Sequence, residues 1–193
     1  MALAGHQGLV GVKGMVRVEA VSINSEHRFS KLNTDVIQLV RERGVEDDAH
    51  FGQTVQHLHL IKKDPLRVNL RQVHLIALER INEWNRLGHP VLCGSLGENI
   101  TTSGVDLEYL PAGTRMRFQS GAEILLTGLR KPCHQVDKFS AGLLKLTVSG
   151  TEDTEIPYRI GVMGIVLETG EVRKGEEIQL HLPAEPYGAM EKV

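Results

Sequence analysis

One cysteine in the stretch TGLRKPCHQVDKF has the surroundings that a reactive thiol needs. Cys133 follows an apolar, strand-like run and comes directly after Arg130, Lys131 and Pro132. Neighbouring cations favour the thiolate, which is the form that binds metals and attacks electrophiles. A cysteine is more commonly a small buried hydrophobic residue, however, and the residue types by themselves leave both interpretations open.

Polar residues in two other segments are candidates for binding an anion. The loop GENITTSG, residues 97–104, offers Asn99, Thr101 and Thr102 as donors to a phosphate or to the edge of a heterocycle. Arg71 stands at the start of an apolar run, where its planar guanidinium can bind a phosphate through two hydrogen bonds. Both patterns are also ordinary, since Asn, Thr and Gly are common in turns and charged residues flank strand ends. These two patterns support an anion-binding site only in combination with Cys133.

A third segment, GVEDDAHFG, brings together acidic residues and a histidine. Asp47, Asp48 and His50 precede His57 and His59, which alternate on a predicted strand and would share one of its faces. Such a set could hold zinc. No Cys or His pair elsewhere has the spacing of zinc ligands, so we interpret the segment as a charged loop in which His50 is a candidate for contact with a ligand.

The overall charge excludes several classes of partner. The 193 residues include 22 Lys and Arg against 24 Asp and Glu, for a net charge of -2. This balance gives no field that would draw the chain to nucleic acid or to an anionic membrane, so an anionic ligand requires a local basic pocket. The sequence shows no apolar run of signal-peptide or membrane-spanning type, and we expect a cytoplasmic protein with two reduced thiols.

Apolar periodicity predicts mostly strands around these residues. Period-two alternation predicts strands at residues 14–23, 54–61 and 72–77, and segment 159–183 predicts two strands around the turn TGEVRKGEE. Closely spaced glycines between residues 97 and 121 are typical of a sandwich or barrel.

Helical spacing is rarer. It predicts helices at residues 78–88 and 134–147, with Gly142 as a weak point in the second, and indicates a further helix at 34–42. One domain is the expectation for a chain of this length.

The order of these segments resembles the MOSC domain, which is the C-terminal domain of molybdenum cofactor sulfurases and also occurs as stand-alone bacterial proteins. The resemblance runs over about residues 14–182, and its most specific parts are GENITTSGVDL and the Arg-x-Pro-Cys of RKPC. We therefore expect residues 1–193 to form a single MOSC domain. The resemblance implies an all-β dominated fold, a MOSC-type β-barrel with a few peripheral helices.

The resemblance also implies a site for the molybdenum cofactor. Cys133 then corresponds to the family's cysteine, which is the catalytic residue and the thiolate ligand of molybdenum, a metal that accepts soft sulfur ligands. Arg130 and Lys131 would keep that sulfur ionised. The residues expected to bind the cofactor are Asn99, Thr101, Thr102, Arg130, Arg71 and His50.

Two functions follow from the resemblance. The first is an oxidoreductase that reduces N-hydroxylated compounds of the hydroxylaminopurine or amidoxime type. Its electrons would come from a separate donor protein, because the sequence shows no flavin, haem or iron–sulfur motif. The alternative is a non-catalytic carrier of the cofactor, or a sulfur-transfer module that works with a sulfurase through a Cys133 persulfide. We expect no pyridoxal-phosphate domain in this chain, and the physiological substrate and oligomeric state stay open.

One residue departs from the family pattern. Stand-alone members typically have Gly-Val-x-Gly-Asp-x-His, whereas this chain has GVEDDAH, with Asp47 in place of the second glycine. If that glycine has a positive φ or lets a ligand approach, Asp47 adds strain and a negative charge beside an anionic cofactor. A third hypothesis is therefore that the pocket no longer accepts the cofactor, and the contributions of Asp48 and His50 depend on this point.

Overall fold

The computed structural model describes residues 12–57, 61–148 and 156–193. Within these ranges the chain forms eleven strands, three short α-helices and one 3-10 helix at Leu107–Tyr109. The strands are β1 (Val12–Ile23), β2 (Leu32–Thr34), β3 (Val36–Val40), β4 (Gly44–Val45), β5 (Val73–Ala77), β6 (Ile100–Val105), β7 (Arg115–Arg117), β8 (Glu123–Leu129), β9 (Val162–Glu168), β10 (Gly170–Arg173) and β11 (Gln179–His181). The helices are α1 (Leu78–Arg86), α2 (Gln135–Phe139) and α3 (Leu143–Thr147). No helix in this part of the chain is long and apolar enough to cross a membrane.

Most strands belong to one eight-stranded sheet with the order β11-β7-β8-β9-β5-β6-β1-β2, and β10, β3 and β4 form a second sheet. In the large sheet β5 and β6 are parallel, and the other neighbouring pairs are antiparallel. A parallel pair needs a crossover connection, and helix α1 lies in the connection between β5 and β6. The crossover brings Asn99, just before β6, beside β5, where its backbone N donates to the carbonyl of His74 at 2.8 Å.

The expectation of a sheet-dominated fold with a few helices is confirmed, but a closed barrel is not found. In the described residues no strand ladder joins β11 to β2, so the large sheet has two ends. The segment just before β11 does contact β1 through single backbone hydrogen bonds, from Val18 N to Glu176 O at 2.9 Å and from Ile178 N to Val16 O at 2.8 Å. These contacts bring the segment before β11 beside β1 without completing a barrel.

The apolar part of the interior is mostly aliphatic. The larger buried cluster lines both sheets, and a second cluster joins the helices to the sheet through Ile76, Trp84, Val136 and Leu143. Val136 is fully buried three residues after Cys133. Burial of an aliphatic side chain of this size contributes roughly 1.5–3 kcal/mol, so this residue anchors the loop that carries the thiol.

Two predicted elements are wrong. Residues 36–40 form strand β3 and not a helix, because Ile37 and Leu39 are buried and alternate with half-buried neighbours, as a strand requires. In the described part of the strand predicted at 54–61, residues 54–57 and 61, one isolated bridge between Thr54 and Val68 is found in place of a strand. His59 lies outside the described residues.

Two other predictions are correct in kind but not in extent. The helix predicted at 134–147 is divided into α2 and α3, and Gly142 between them has a φ of 85° that a continuous helix cannot contain. The sequence predicts two strands in segment 159–183, whereas the structure has three. The additional strand, β10, occupies part of the predicted turn and pairs with β3.

Candidate functional site

A cavity of about 490 Å³ is the feature of the structure best suited to bind a ligand. Its wall is formed by the loop after β8, the start of β5, the loop between β1 and β2, the segment after β4 and the segment before β6. Five of its lining residues are cationic, and no carboxylate is among the described residues that line it. The cations are Arg28, Lys31, Arg71, Arg130 and Lys131. The chain as a whole carries -2, so positive charge is concentrated locally.

Cys133 lies in the wall of this cavity and is half-buried. Strand β8 ends four residues earlier, and Pro132 is buried beside the thiol. The carbonyl of Cys133 accepts a hydrogen bond from Val136 N at 3.0 Å, which starts the turn into α2, and its Sγ lies 3.4 Å from Gln135 Oε1. The predicted position, at the end of a strand and before a helix, is confirmed. The alternative of a fully buried hydrophobic cysteine does not describe this thiol.

Two arginine side chains in the cavity have buried N–H groups that lack a hydrogen-bond acceptor. They are Arg71 Nε and Arg130 Nη1. Burial, followed by the charge of Arg130, lowers the pKa of Arg71 to about 10. Burial also lowers the pKa of Arg130, and a negative charge on Cys133 acts in the opposite direction on both arginines. A buried donor without an acceptor is unfavourable, so an anion bound here would satisfy both groups.

Asp48 lies behind the cavity wall and organises two residues that line it. Its side chain is 2% exposed and forms an ion pair with Lys31, which is itself 4% exposed. Its Oδ1 accepts hydrogen bonds from the backbone N of His50 at 3.0 Å and from His50 Nδ1 at 3.2 Å. Burial by itself would raise the pKa of Asp48, but the hydrogen bonds from His50 and the charge of Lys31 together lower it well below its usual value.

His50 is accordingly held as a neutral side chain. Burial is the largest effect and lowers its pKa, and the hydrogen bond to Asp48 opposes this only in part. The charges of Lys31 and His27 lower the pKa further. The ring of His50 lies 4.5 Å from that of His57 and 5.3 Å from that of His27, measured between ring centroids. Within the described residues no group of three or more His, Cys, Asp or Glu side chains is arranged to hold a metal ion.

Asn99 lines the cavity, but the hydrogen bonds of its amide are directed to the protein. Its Nδ2 donates to Ser22 O at 3.2 Å and to Asp48 Oδ2 at 3.1 Å, and its Oδ1 accepts from His74 N at 3.2 Å. Asn99 therefore holds the strands and Asp48 in place. Its amide has little capacity left for a ligand.

Thr101 and Thr102 do not line the cavity, contrary to the expectation from the sequence. Both are 0% exposed and lie within β6, where they pair with β1 on one side and β5 on the other. The segment that looked like a ligand-binding loop becomes a central strand after Asn99, and a central strand has both edges covered. Only Gly97 and Asn99 of this segment reach the cavity.

Asp47 has the positive φ that the glycine of the family pattern would favour. Its φ is 62°, and its side chain is exposed. It is absent from the described residues that line the cavity, so its charge is not part of the wall and its side chain does not fill the space.

The sequence analysis missed several residues of the wall, among them His74 and Lys31. His74 is a polar residue within the apolar strand β5, and that contrast is a signal that could have identified it. Its Nε2 lies 3.0 Å from Ile160 O, and burial lowers its pKa well below the usual value. Lys31 stands in a loop with no such contrast, and only the tertiary ion pair with Asp48 reveals it.

A sheet-dominated fold that presents a thiol in a cation-lined cavity defines a protein suited to bind an anionic ligand with affinity for sulfur. The sequence model of the MOSC domain matches residues 46–179. The chain is 30% identical over 151 residues to YuaD of Bacillus subtilis (strain 168), covering 72% of this chain and 76% of that protein. The name of YuaD gives it a proposed role in metal-sulfur cluster biosynthesis. The chain belongs to the MOSC domain family.

Solved structures have the same fold. The crystal structure of YuaD from Bacillus subtilis has a TM-score of 0.73 at 26% identity and covers 89% of this chain and 98% of its own. The crystal structure of YiiM from Escherichia coli has a TM-score of 0.60 at 17% identity, covering 90% of this chain and 73% of its own. At that identity, YiiM supports the fold alone.

Proposed function

We propose that the chain binds the molybdenum cofactor in the cation-lined cavity, with Cys133 as the protein ligand of molybdenum. One observation carries the proposal, which is that the wall containing the half-buried thiol also contains two buried guanidinium N–H groups without acceptors. The donor set fits the group, because a thiolate suits a soft metal and arginines suit the anionic parts of its organic ligand. When bound, the cofactor supplies two-electron redox chemistry at its metal.

The reaction that we propose is the reduction of N-hydroxylated compounds of the hydroxylaminopurine or amidoxime type. The balance is R–NH–OH plus two electrons and two protons, giving R–NH2 and water. The electrons come from a separate donor protein. The chain's own contributions are to hold the cofactor through Cys133, Arg71 and Arg130, and to carry protons at the cavity wall.

A second candidate function is sulfur transfer, and the similarity to YuaD favours it because the name of that protein concerns metal-sulfur chemistry. In this reaction the Cys133 thiolate attacks the outer sulfur of a persulfide on a sulfurase. A new sulfur–sulfur bond forms at Cys133, the bond in the donor breaks, and the donor leaves as a thiolate. The half-buried position of Cys133 is compatible with this approach.

Expression in a host that makes the cofactor tests the proposal. The wild type should co-purify with molybdenum in near-stoichiometric amount, measured by elemental analysis, and the Cys133→Ser variant should lose most of it. Cys93→Ser is the matched control, because Cys93 is also half-buried but is absent from the described cavity wall. Equal molybdenum in both variants would contradict the assignment of Cys133.

An assay of the same preparations separates the two functions. With a chemical reductant and hydroxylaminopurine, a wild type that holds molybdenum should turn over, and Cys133→Ser should not. Absence of turnover at full molybdenum occupancy would exclude the reductase. A mass increment of one sulfur on wild-type Cys133, in protein without molybdenum, would support sulfur transfer instead.

A further inference from the structure

The pair formed by Asp48 and His50 is a second chemical element in the same cavity as Cys133. His50 lines the cavity, and its backbone N and its Nδ1 both contact Asp48 Oδ1, at 3.0 and 3.2 Å. A carboxylate can only accept hydrogen bonds, so this contact places the ring proton of neutral His50 on Nδ1. Nε2 is then the nitrogen with a free lone pair, in a ring that faces the cavity.

Asp48 is fixed in its orientation by contacts on its other oxygen. Asp48 Oδ2 forms the ion pair with Lys31 and accepts hydrogen bonds from Asn99 Nδ2 at 3.1 Å and from Asn24 N at 3.3 Å. These contacts come from two segments, since Asn24 and Lys31 belong to the loop between β1 and β2 and Asn99 precedes β6. The carboxylate therefore cannot turn away from His50 without breaking several buried interactions at once, and this restraint sets the position of the imidazole.

Two other histidines of the wall, His74 and His134, are less suited to carry a proton. His74 has its Nε2 at 3.0 Å from the carbonyl of Ile160, and its pKa is lowered far by burial. His134 is exposed, and no carboxylate contact is found for it in the described structure. His50 combines access to the cavity with a buried carboxylate that stabilises the protonated ring when it forms.

We propose that His50 is the proton donor of the reduction and that Asp48 is its positioning residue. This inference rests on the proposed reductase function. As the N–O bond of the substrate breaks, Nε2 of protonated His50 gives its proton to the departing oxygen, which leaves as water. The second proton reaches nitrogen from solvent, the two electrons come from the donor protein, and His50 regains its proton from solvent.

The charged and titratable groups around His50 determine how this step depends on pH. They are Asp48, Lys31, His27 and His57. Burial, Lys31 and His27 lower the pKa of His50, and Asp48 raises it, with a net lowering. Protonated His50 is therefore a minor species at neutral pH, and turnover should rise as the pH falls through the pKa of His50.

The tautomer of His50 tests the geometry in protein without cofactor. Nitrogen-15 NMR of histidine-labelled chain should show His50 protonated on Nδ1, and Asp48→Ala, which removes the acceptor, should abolish this preference. The second measurement uses molybdenum-loaded enzyme with hydroxylaminopurine. His50→Gln should lose kcat, expressed per bound molybdenum, by roughly 100-fold or more, which is the usual contribution of a general acid. It should also lose the rise in rate at acid pH, whereas His181→Gln, at an exposed position of β11, should behave as the wild type.

Three outcomes would overturn the inference. A ring protonated on Nε2 would remove its geometric basis, whatever the activity of the chain. A His50→Gln variant with full molybdenum and wild-type kcat, measured beside an active wild type, would refute the proton donor and leave the reductase intact. A wild type that holds molybdenum and reduces no N-hydroxylated compound would refute both, and the NMR result would then describe only how Asp48 holds the ring.

Discussion

Replacing Arg71 by methionine should change stability and anion binding in opposite directions. Burial and the neighbouring charge of Arg130 lower the pKa of Arg71 from 12.5 to about 10, which corresponds to an unfavourable free energy of about 3 kcal/mol at ~1.4 kcal/mol per pKa unit. Screening by solvent reduces the effect, and we expect Arg71→Met to stabilise the chain without ligand by about 1–2 kcal/mol. At pH 7 the full penalty is present, because the folded-state pKa lies well above that pH and both states are protonated.

The same substitution removes a charge-assisted donor that an anion would use. Such a hydrogen bond contributes about 1.5–3 kcal/mol, so the affinity for an anion should fall by roughly 10- to 150-fold. Inorganic phosphate is a suitable probe, because a ligand that binds only the folded chain raises the midpoint of urea unfolding. The wild type should gain stability with phosphate at constant ionic strength, and Arg71→Met should gain much less.

Arg67→Met is the matched control for this experiment. Arg67 is exposed and lies four residues before Arg71. Its replacement should therefore change the free energy of unfolding by less than about 0.5 kcal/mol. The reasoning is refuted if Arg71→Met destabilises the chain without phosphate, or if it keeps the phosphate-dependent stabilisation of the wild type. Either result would mean that the Arg71 side chain stabilises the fold through a contact within the protein and does not bind an anion.

Three further predictions concern Asp48 and the residues around it. Asp47→Gly should raise the free energy of unfolding by up to about 1 kcal/mol, because glycine relieves the strain of a φ of 62°, whereas Glu46→Gly next to it, without a positive φ, should lower it; urea unfolding compares them. Lys31→Met should cost about 3–5 kcal/mol by leaving the Asp48 charge buried without its partner, while exposed Lys174→Met should have little effect. Because the folded-state pKa of Asp48 lies below 3.8, its ion pair stabilises the chain above that pH and is lost as the pH falls through the folded value. Circular dichroism against pH should therefore show a shallower acid transition for Asp48→Asn than for the wild type.

Local patterns predicted the elements whose apolar residues face one way. Strand β1, helix α1 and the turn at Cys133 follow directly from alternation, helical spacing and the proline, and β5 follows from its short apolar run, which is buried at every position. The helix prediction for residues 34–42 is wrong because the spacing of the apolar residues in this segment suits a short helix as well as a strand. Pairing with β10, more than 130 residues away in the sequence, decides between them, and no local pattern contains that information.

The residues of the candidate site also divide into those that the local sequence predicts and those that only the tertiary fold places. Cys133, Arg130, Arg71 and His50 could be placed at the cavity because each stands at the end of an element or in a loop. Thr101 could not, because a polar residue in a buried strand has the same local appearance as one in a loop. The positions of Lys31 and Asp48 depend on an ion pair between segments that the fold alone brings together.

The distribution of charge in this chain explains why its net charge is a poor guide to its ligand. Two of its carboxylates lie next to the cavity without lining it. Asp48 is engaged by Lys31 and His50, and Glu98 accepts hydrogen bonds from Gly94 N at 2.6 Å and Leu96 N at 3.1 Å. Carboxylates held in this way stabilise the framework, and they leave the cations of the wall without an acidic neighbour in the wall itself. At Arg71 and Arg130 an anion that reaches the cavity therefore meets buried guanidinium N–H groups without an acceptor, and the free energy that the fold loses by burying them becomes available for binding.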